Sequence, residues 1–377
     1  MGVINTTRRP QDDSANVGID MSDTLAMLDP SDVPLLSLIG KDGLTATALK
    51  HEWLEDALRP LDTAIATQGE FSGTGAVSTA TVTAGQGVYL RAGDILLIDS
   101  ELMKLDSIST DTLAIAAGSR GWGGSTAASH ASLAAIKIVG NVNLTDASAG
   151  ASRSTTKTGF YNYCQLYEDV VTTTTTTQAI KKWVPGDDLD REIAKALKVA
   201  WMQWERALLF GRKVQPTTTV PGSMDGILVR LTTNAYAKAG AYLTEEFVLQ
   251  AMQDSWNAGG RIDTLVANAF QKRQLNKFLD SQRMTTRTDR IAGSIVDTYT
   301  SDFGTADIVL DRHMPTDTVL LLDRPRVKFG PLTGHPLSVG DVETSTRLKK
   351  SRQVIAQYTS ELRNESAHAK ITGLATS

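Results

Sequence analysis

Cysteine is almost absent from this sequence: Cys164 is its only one, so no internal disulfide and no cysteine-cluster metal site can form. The five histidines are scattered, and none belongs to an HExxH motif or to another close pair. No apolar run approaches the ~20 residues that a membrane helix needs, and residues 1–10 lack the apolar stretch of a secretory signal. The sequence therefore predicts no metal site, no membrane span and no secretory signal.

A strong excess of either charge is also missing. Lys and Arg number 38 against 42 Asp and Glu, a net charge of -4, which argues against a general nucleic-acid-binding protein. Residues 1–62 nevertheless carry 5 basic and 11 acidic side chains, whereas residues 271–290 carry 6 basic and 2 acidic ones. The basic stretch is either a solvated helix face or a surface for an acidic partner, for which the acidic start is one candidate.

The sequence does have a large apolar fraction and many threonines. Hydrophobic residues make up 41% of it, which is enough for a sizeable core. The 45 threonines favour strands and extended loops. Together these features predict a mixed fold with a preference for β structure.

Residues 1–50 are predicted to form an arm rather than a domain. Their apolar residues come in short clusters, and Pro30 and Pro34 are expected to interrupt any helix. Such clusters cannot build a core of their own, so they pack either against the body of this chain or against a neighbouring copy. The resemblance described below implies that Leu25, Leu28, Leu35, Leu36, Leu38 and Ile39 contact neighbouring copies.

A small all-β module is predicted at 73–140, inserted between extended segments at 51–72 and 141–183. Gly, Ser, Thr and Ala dominate the module, and turn residues separate its short β patterns. Those patterns lie at 76–83, 88–90, 94–99, 102–108, 112–116 and 135–139. Outside the module, residues 51–56 and the six threonines at 172–177 also predict strand, because β-branched side chains disfavour helix.

One strong helix is predicted at 187–210, with Gly211 placed to end it. Its apolar residues recur at spacings of three and four, while charged residues such as Glu205 fall mostly on other faces. The apolar stripe consists of Leu189, Ile193, Leu197, Trp201, Trp204 and Leu208. Two tryptophans on such a stripe are more typical of a protein core than of a stacking platform for bases.

Residues 221–340 predict an α/β unit, and residues 341–377 predict a returning strand. In the α/β unit Thr244 is a candidate N-cap and Gly259 a candidate end of one helix. Further elements are expected as a helix at 268–279 and strands at 264–267, 295–300, 307–310 and 318–322. In the returning strand Val354, Ala356 and Tyr358 alternate onto one face.

A search for catalytic motifs finds only partial matches. Asp302-Phe303-Gly304 matches a kinase tripeptide without the other kinase motifs, so we expect a hairpin turn there. The stretch at 118–124 resembles a dinucleotide loop without the helix that should follow, so we expect a flexible loop. The sequence predicts no catalytic, cofactor-binding or metal-binding residue, and therefore a structural protein rather than an enzyme.

The order of segments resembles the Hong Kong 97-like shell fold of tailed-bacteriophage major capsid proteins, encapsulins and the herpesvirus capsid floor. The similarity is greatest to the phage subfamily whose extended loop carries a β-rich insertion. It extends over almost the whole chain, and the order and spacing of the segments are more specific than any single motif. The residues that carry it are Asp29-Pro30-Ser31-Asp32-Val33-Pro34-Leu35-Leu36, His51-Glu52-Trp53-Leu54-Glu55-Asp56, Arg91-Ala92-Gly93-Asp94 and Arg120-Gly121-Trp122-Gly123-Gly124-Ser125-Thr126-Ala127-Ala128-Ser129-His130.

This resemblance implies an α+β, Hong Kong 97-like capsid fold with an inserted small all-β domain. The implied parts are an N-terminal arm at 1–50, an extended loop at 51–72 and 141–183, the β-rich insertion at 73–140, a peripheral domain at 184–220 and 341–377 with a spine helix at 187–210, and an axial domain at 221–340.

The resemblance also implies a major capsid protein that self-assembles into hexamers and pentamers of an icosahedral phage head around double-stranded DNA. The implied partners are identical copies, portal, scaffold and decoration proteins, with no membrane and no cofactor, and the implied location is the virion after assembly in the host cytoplasm. Some family members crosslink through a loop lysine and an asparagine, but no motif singles out Lys157 and Asn364 for that role. The alternatives are an encapsulin-like compartment, a β-rich adhesin or tail component, and an enzyme.

Overall fold

The computed structural model describes residues 32–40, 43–66, 71, 78–146, 150, 152–180, 188–277, 284–291, 294–342 and 348–376, with the backbone alone for 284–291 and 294–297. The helices within these residues are α1 Pro34–Ile39, α2 Thr175–Ala179, α3 Asp188–Phe210, α4 Ile227–Arg230, α5 Glu245–Asn257 and α6 Ala269–Asn276. The strands are β1 Lys50–Glu55, β2 Asp62–Ala64, β3 Ser78–Thr81, β4 Asp94–Ile98, β5 Glu101–Lys104, β6 Ser107–Ser109, β7 Thr112–Ile115, β8 Ala135–Asn141, β9 Thr158–Tyr163, β10 Gln165–Thr174, β11 Ala235–Ala237, β12 Thr264–Ala267, β13 Met284–Ile291, β14 Ser294–Ser301, β15 Gly304–Leu310, β16 Val319–Leu322, β17 Val327–Pro331, β18 Ser338–Val342, β19 Lys349–Leu362 and β20 Ala369–Thr372.

Residues Leu54–Gly159 form one compact unit of strands and short 3-10 turns. Its strands build a four-stranded sheet in the order β2-β8-β4-β5 and a three-stranded sheet in the order β3-β7-β6. Both sheets contribute side chains to one apolar core, which includes Leu96, Met103 and Leu113 with no exposed surface. The core of this unit is therefore built from its own residues.

Two of the β patterns predicted for this unit are wrong in part. Residues 88–90 overlap a 3-10 helix, Gly87–Tyr89, because the carboxylate of Asp111 accepts the Gly87 amide at 2.9 Å and holds a turn there. The pattern at 102–108 is divided into β5 and β6, because the Leu105 amide turns away to donate to the first residue of β4 at 2.8 Å. Both departures come from hydrogen bonds between residues distant in sequence, which a local pattern does not contain.

Residues Met1–Trp53 together with Phe160–Ser377 form the second compact unit. Its larger sheet has the order β11-β20-β16-β12-β15-β14-β13, with β12 parallel to β15 and antiparallel to β16. Every residue of β12 and β16 is buried, and β12 has the predicted limits. Helix α5 begins after Thr244, as predicted, and Gly259 follows it with a φ of +81°. The helix buries Val248 and Met252 in the core of this sheet.

The second sheet of this unit is centred on β19. Strand β10 pairs with one edge of β19, and β17 and β18 pair with the other. Helix α3 packs against this sheet and ends at Phe210, as predicted, while residue 187 lies outside the described residues. Val354, Ala356 and Tyr358 of β19 are all buried on the face that α3 covers, as their alternation predicts.

The two sheets divide the chain differently from the predicted segments. Strand β17 lies within 221–340 and β18 begins there, yet both pair with β19 in the predicted peripheral part. Strand β20 lies within 341–377, yet it pairs with β11 and β16 in the larger sheet. The reason is the length of β19, which runs for 14 residues. Strand β10 pairs with residues 349–358 along one edge, and two short strands share the other edge.

Two local predictions also change at their ends. The threonines at 172–177 are strand only as far as Thr174, whose hydroxyl accepts the Thr177 amide at 3.2 Å and caps α2. Within the predicted helix at 268–279, α6 covers Ala269–Asn276 and Lys277 follows as its C-cap, while residues 278 and 279 lie outside the described residues.

Candidate functional site

The apolar stripe of α3 faces the sheet centred on β19. Its residues are buried at Leu189, Ile193, Trp204 and Leu208 and half-buried at Leu197 and Trp201. The Trp204 ring lies 5.3 Å from the Tyr358 ring and 6.0 Å from the Phe329 ring, between centroids, and Trp201 meets Tyr358 edge-on at 5.8 Å. Both tryptophans are therefore packed against the sheet and do not form a platform for bases.

The six predicted arm contacts fall into three groups: Leu25 and Leu28 outside the described residues, Leu35 and Leu36 buried, and Leu38 and Ile39 half-buried. Leu35 and Leu36 expose no surface and belong to the same core as Trp204, so their predicted contact with neighbouring copies is wrong. The physical reason is α1. Pro34 begins this helix instead of interrupting it, because the first helical residue needs no amide donor.

Glu205 connects α1 to α3. Its two carboxylate oxygens, Oε1 and Oε2, accept the amides of Leu35 and Leu36, each at 2.9 Å. These are amides of the first helical turn, which no intrahelical carbonyl can satisfy. Glu205 has no exposed surface, although the sequence pattern grouped it with the outward charged residues. Its position four residues after Trp201 places it beside the apolar stripe, and this spacing was the signal for its burial.

A second buried carboxylate, Asp311, accompanies Glu205 at the end of β15. Its Oδ1 accepts the His313 amide at 2.7 Å, and its buried Oδ2 has no hydrogen-bond donor among the described residues. Burial first, and then the negative charge of Asp311, raise the pKa of Glu205 to about 8, although the hydrogen bonds from the Leu36 and Leu35 amides lower it. Burial likewise raises the pKa of Asp311.

The β-rich unit contains a different buried ionic group, around Glu101 and Arg120. Arg120 Nε donates to Glu101 Oε1 at 2.6 Å and Arg120 Nη2 to Oε2 at 2.9 Å, while Glu101 also accepts the Ala128 amide at 2.9 Å. His130 Nε2 lies 3.0 Å from the same carboxylate. Burial raises the pKa of Glu101, but the hydrogen bonds from Arg120 and Ala128 outweigh it and lower the pKa to about 2. The stretch at 118–124 is thus anchored by an ion pair at Arg120, and the Gly121 amide donates to the same carboxylate.

Large apolar side chains are exposed on the same β-rich unit. Leu58 is 96%, Leu144 79% and Leu133 75% exposed. Each is an apolar side chain that the core of the unit leaves uncovered, which is common on a protein surface. The sequence pattern gave no direct signal for them, since exposure depends on which face the core leaves uncovered.

The described residues contain no assembled catalytic or metal site. A polar cavity of about 570 Å³ in the second unit is lined partly by Asp263 and Asp323. Their carboxylates accept the backbone amides of Arg324 and Arg261 at 3.0 and 3.2 Å, so both help to hold the local backbone. No group of three or more His, Cys, Asp or Glu is placed to share a metal within the described part of the chain. Among the described helices, none is long and apolar enough to cross a membrane.

Comparisons with known proteins give one family. The family model of the SU10 major capsid protein matches residues 3–375 of the chain. No curated protein matches it.

Three solved structures are similar in fold. A chain of Microbacterium phage Oxtober96 is 13% identical with a TM-score of 0.51, over 97% of this chain and 98% of that one. The capsid of Myoviridae phage XM1 is 12% identical with a TM-score of 0.51, over 94% of this chain and 97% of that one. The holo-SrpI encapsulin complex of Synechococcus elongatus is 12% identical with a TM-score of 0.46, over 58% of this chain and 77% of that one. The two phage structures show a shared fold along almost the whole chain, which is the Hong Kong 97-like capsid fold.

Proposed function

Because the chain belongs to the family of SU10 major capsid proteins, we propose that its copies assemble into the hexamers and pentamers of an icosahedral phage head around double-stranded DNA. The observation that carries this proposal is the family match across residues 3–375. The Hong Kong 97-like fold supports it. Its role as a major capsid protein is structural, and we extend this to the absence of any catalytic step.

The charge of the chain suits a container for DNA. A net charge of -4 gives a subunit little general attraction for phosphates, and each additional phosphate contact would add salt-dependent affinity. DNA can then be packed without binding tightly to the wall. The further partners that we propose are portal, scaffold and decoration proteins, and the proposed location is the virion, following assembly in the host cytoplasm.

We assign the contacts between neighbouring copies to the β-rich unit and to the arm. The exposed side chains of Leu58, Leu133 and Leu144 are the proposed contacts of the first, and Leu38 and Ile39 those of the second. Apolar side chains in these positions gain burial only when another molecule covers them. The names N-terminal arm, extended loop, insertion, peripheral domain and axial domain describe the proposed roles of the segments predicted from the sequence.

Two other functions would use similar parts. An encapsulin-like compartment has the same fold but holds cargo enzymes, and a β-rich adhesin or tail component would bind a host surface without forming a closed shell. Family membership favours the phage shell over both.

The decisive test is the assembly state of the purified full-length protein, measured by sedimentation velocity and negative-stain electron microscopy. We expect closed shells, and Leu58→Asp should abolish them while leaving the circular dichroism of the subunit unchanged, because a charge at a dehydrated contact is costly. The control is Thr112→Asp, which adds the same charge at an exposed polar position of the same unit. Stable monomers of the wild-type protein would contradict the proposal, and shells of the Leu58→Asp variant would contradict the proposed contact.

A further inference from the structure

The ring of His130 lies between two carboxylates of the β-rich unit. Its Nδ1 is 2.7 Å from Asp99 Oδ2, and its Nε2 is 3.0 Å from Glu101 Oε2. The imidazole is only 1% exposed, so water has little access to it. Both ring nitrogens therefore depend on an acidic side chain for their hydrogen bond.

Neither carboxylate is placed to supply a proton for these contacts. Each oxygen of Glu101 already accepts two other hydrogen bonds, from the Arg120 guanidinium and from the amides of Gly121 and Ala128. Burial raises the pKa of Glu101, but the hydrogen bonds to its ionised form outweigh burial and lower the pKa to about 2. The Asp99 side chain is 66% exposed, so water stabilises its charge. An ionised carboxylate only accepts hydrogen bonds, and both contacts therefore need a proton on the ring.

The balance of charge around the ring supports the same conclusion. The charged groups that the described residues place there are Asp99, Glu101 and, on the other side of the Glu101 carboxylate, Arg120. Phe71 packs edge-on against the ring, with 5.8 Å between centroids, and adds no charge. Two carboxylates and one guanidinium leave one negative charge uncompensated, and a doubly protonated imidazole neutralises it. Buried charges are stable when they are paired in this way.

We propose that His130 holds both ring protons at low pH and that the loss of one weakens the attachment of residues 120–130 to β5, so that pH controls this attachment. Whichever nitrogen loses its proton, its lone pair then faces a carboxylate and one charge-assisted hydrogen bond is lost. A group that gains acidic partners on folding contributes stability that is present at low pH and is lost as pH rises. All these residues lie within one compact unit, so the device is independent of the proposed shell.

Hydrogen exchange of the full-length protein tests the proposal, with rates corrected for their intrinsic pH dependence. The amides to follow are those of Gly121 and Ala128, because both donate to the carboxylate that His130 contacts. We compare about pH 5 with about pH 8, on either side of the ordinary pKa of histidine. Protection of the two amides should fall on the order of tenfold, as expected for one hydrogen bond to a charged group.

Asp99→Asn separates the protonation of the ring from its packing. The introduced amide donates its NH2 group to an unprotonated Nδ1, so a neutral ring keeps both hydrogen bonds and protection should become nearly independent of pH. Asp99 is exposed and has a φ of +51°, a conformation that asparagine also adopts, so this variant should fold. His130→Gln should also remove the pH dependence, but with lower protection at about pH 5 than the wild type. His335→Gln, at an exposed histidine of the second unit, is the matched control and should behave as the wild type.

Two results would overturn the proposal. One is wild-type protection of Gly121 and Ala128 that stays constant or increases from about pH 5 to about pH 8. The other is an Asp99→Asn variant that keeps the pH dependence of the wild type, because the dependence would then come from a group other than His130.

Discussion

Trp204→Ala tests whether α3 and the sheet centred on β19 form one core. Trp204 is 1% exposed, and its ring lies within 6.2 Å, between centroids, of the rings of Tyr167, Phe329 and Tyr358. Replacing a buried Trp by Ala costs about 3–5 kcal/mol. Part of this cost is offset by the loss of an unpaired donor, because the buried Trp204 Nε1 has no acceptor among the described residues. Removing such a donor recovers on the order of 1 kcal/mol, so we expect a net loss of about 3 kcal/mol.

The assay is urea unfolding of unassembled subunits, followed by far-UV circular dichroism rather than by tryptophan fluorescence, which the substitution itself changes. Trp204→Phe is the control: it keeps an aromatic ring and also removes the unpaired donor, so it should lose clearly less than Trp204→Ala. Trp201→Ala should also lose less, because Trp201 is only half-buried. A loss below about 1 kcal/mol for Trp204→Ala, with an unchanged denaturant slope, would refute the packing of α3 described above.

Two further predictions concern the ionic group of the β-rich unit. Arg120→Met should destabilise the unit by about 3–5 kcal/mol in urea unfolding, because it leaves a buried carboxylate without its partner. The control is Lys104→Met, which breaks a half-exposed ion pair of the same unit. An equal loss of stability in the two variants would contradict the prediction. Acid titration should show a matching dependence. Since the pKa of Glu101 is lowered, its contribution is complete above the ordinary value of glutamate and is lost as pH falls towards about 2. Glu101→Gln should flatten that part of the stability curve, and an unchanged curve would count against the ion pair.

The long, regular elements were predictable from sequence because their stabilising contacts repeat locally. The stripe of α3 repeats every three to four residues, and Val354, Ala356 and Tyr358 alternate along β19. The buried strand β12 stands between turn residues that mark its limits. In each case a local pattern contains the same information as the packing.

The polar anchors were not predictable in this way. From spacing alone, Glu205 is predicted to be a surface charge. It is buried because α1, about 170 residues earlier, supplies the two amides that it binds. From the sequence, Arg120 is predicted to be part of a glycine-rich loop. In the structure its guanidinium group donates to the Glu101 carboxylate and to the Ala128 carbonyl oxygen. Each of these residues is buried because of a partner far along the chain or across a turn, and spacing alone does not identify the partner.

The distribution of apolar burial separates folding from assembly. The β-rich unit fills its own core with residues such as Leu96 and Met103, and yet Leu58 remains almost fully exposed on it. Burying a leucine stabilises a protein by about 1.5–3 kcal/mol. A core leucine contributes this free energy to folding, whereas an exposed leucine contributes it only to association, when another molecule covers it. Substitutions should therefore fall into two classes: Trp204→Ala lowers the free energy of unfolding of the isolated subunit, whereas Leu58→Asp leaves it unchanged and prevents shells. A core substitution that blocked assembly without any loss of subunit stability would break this division.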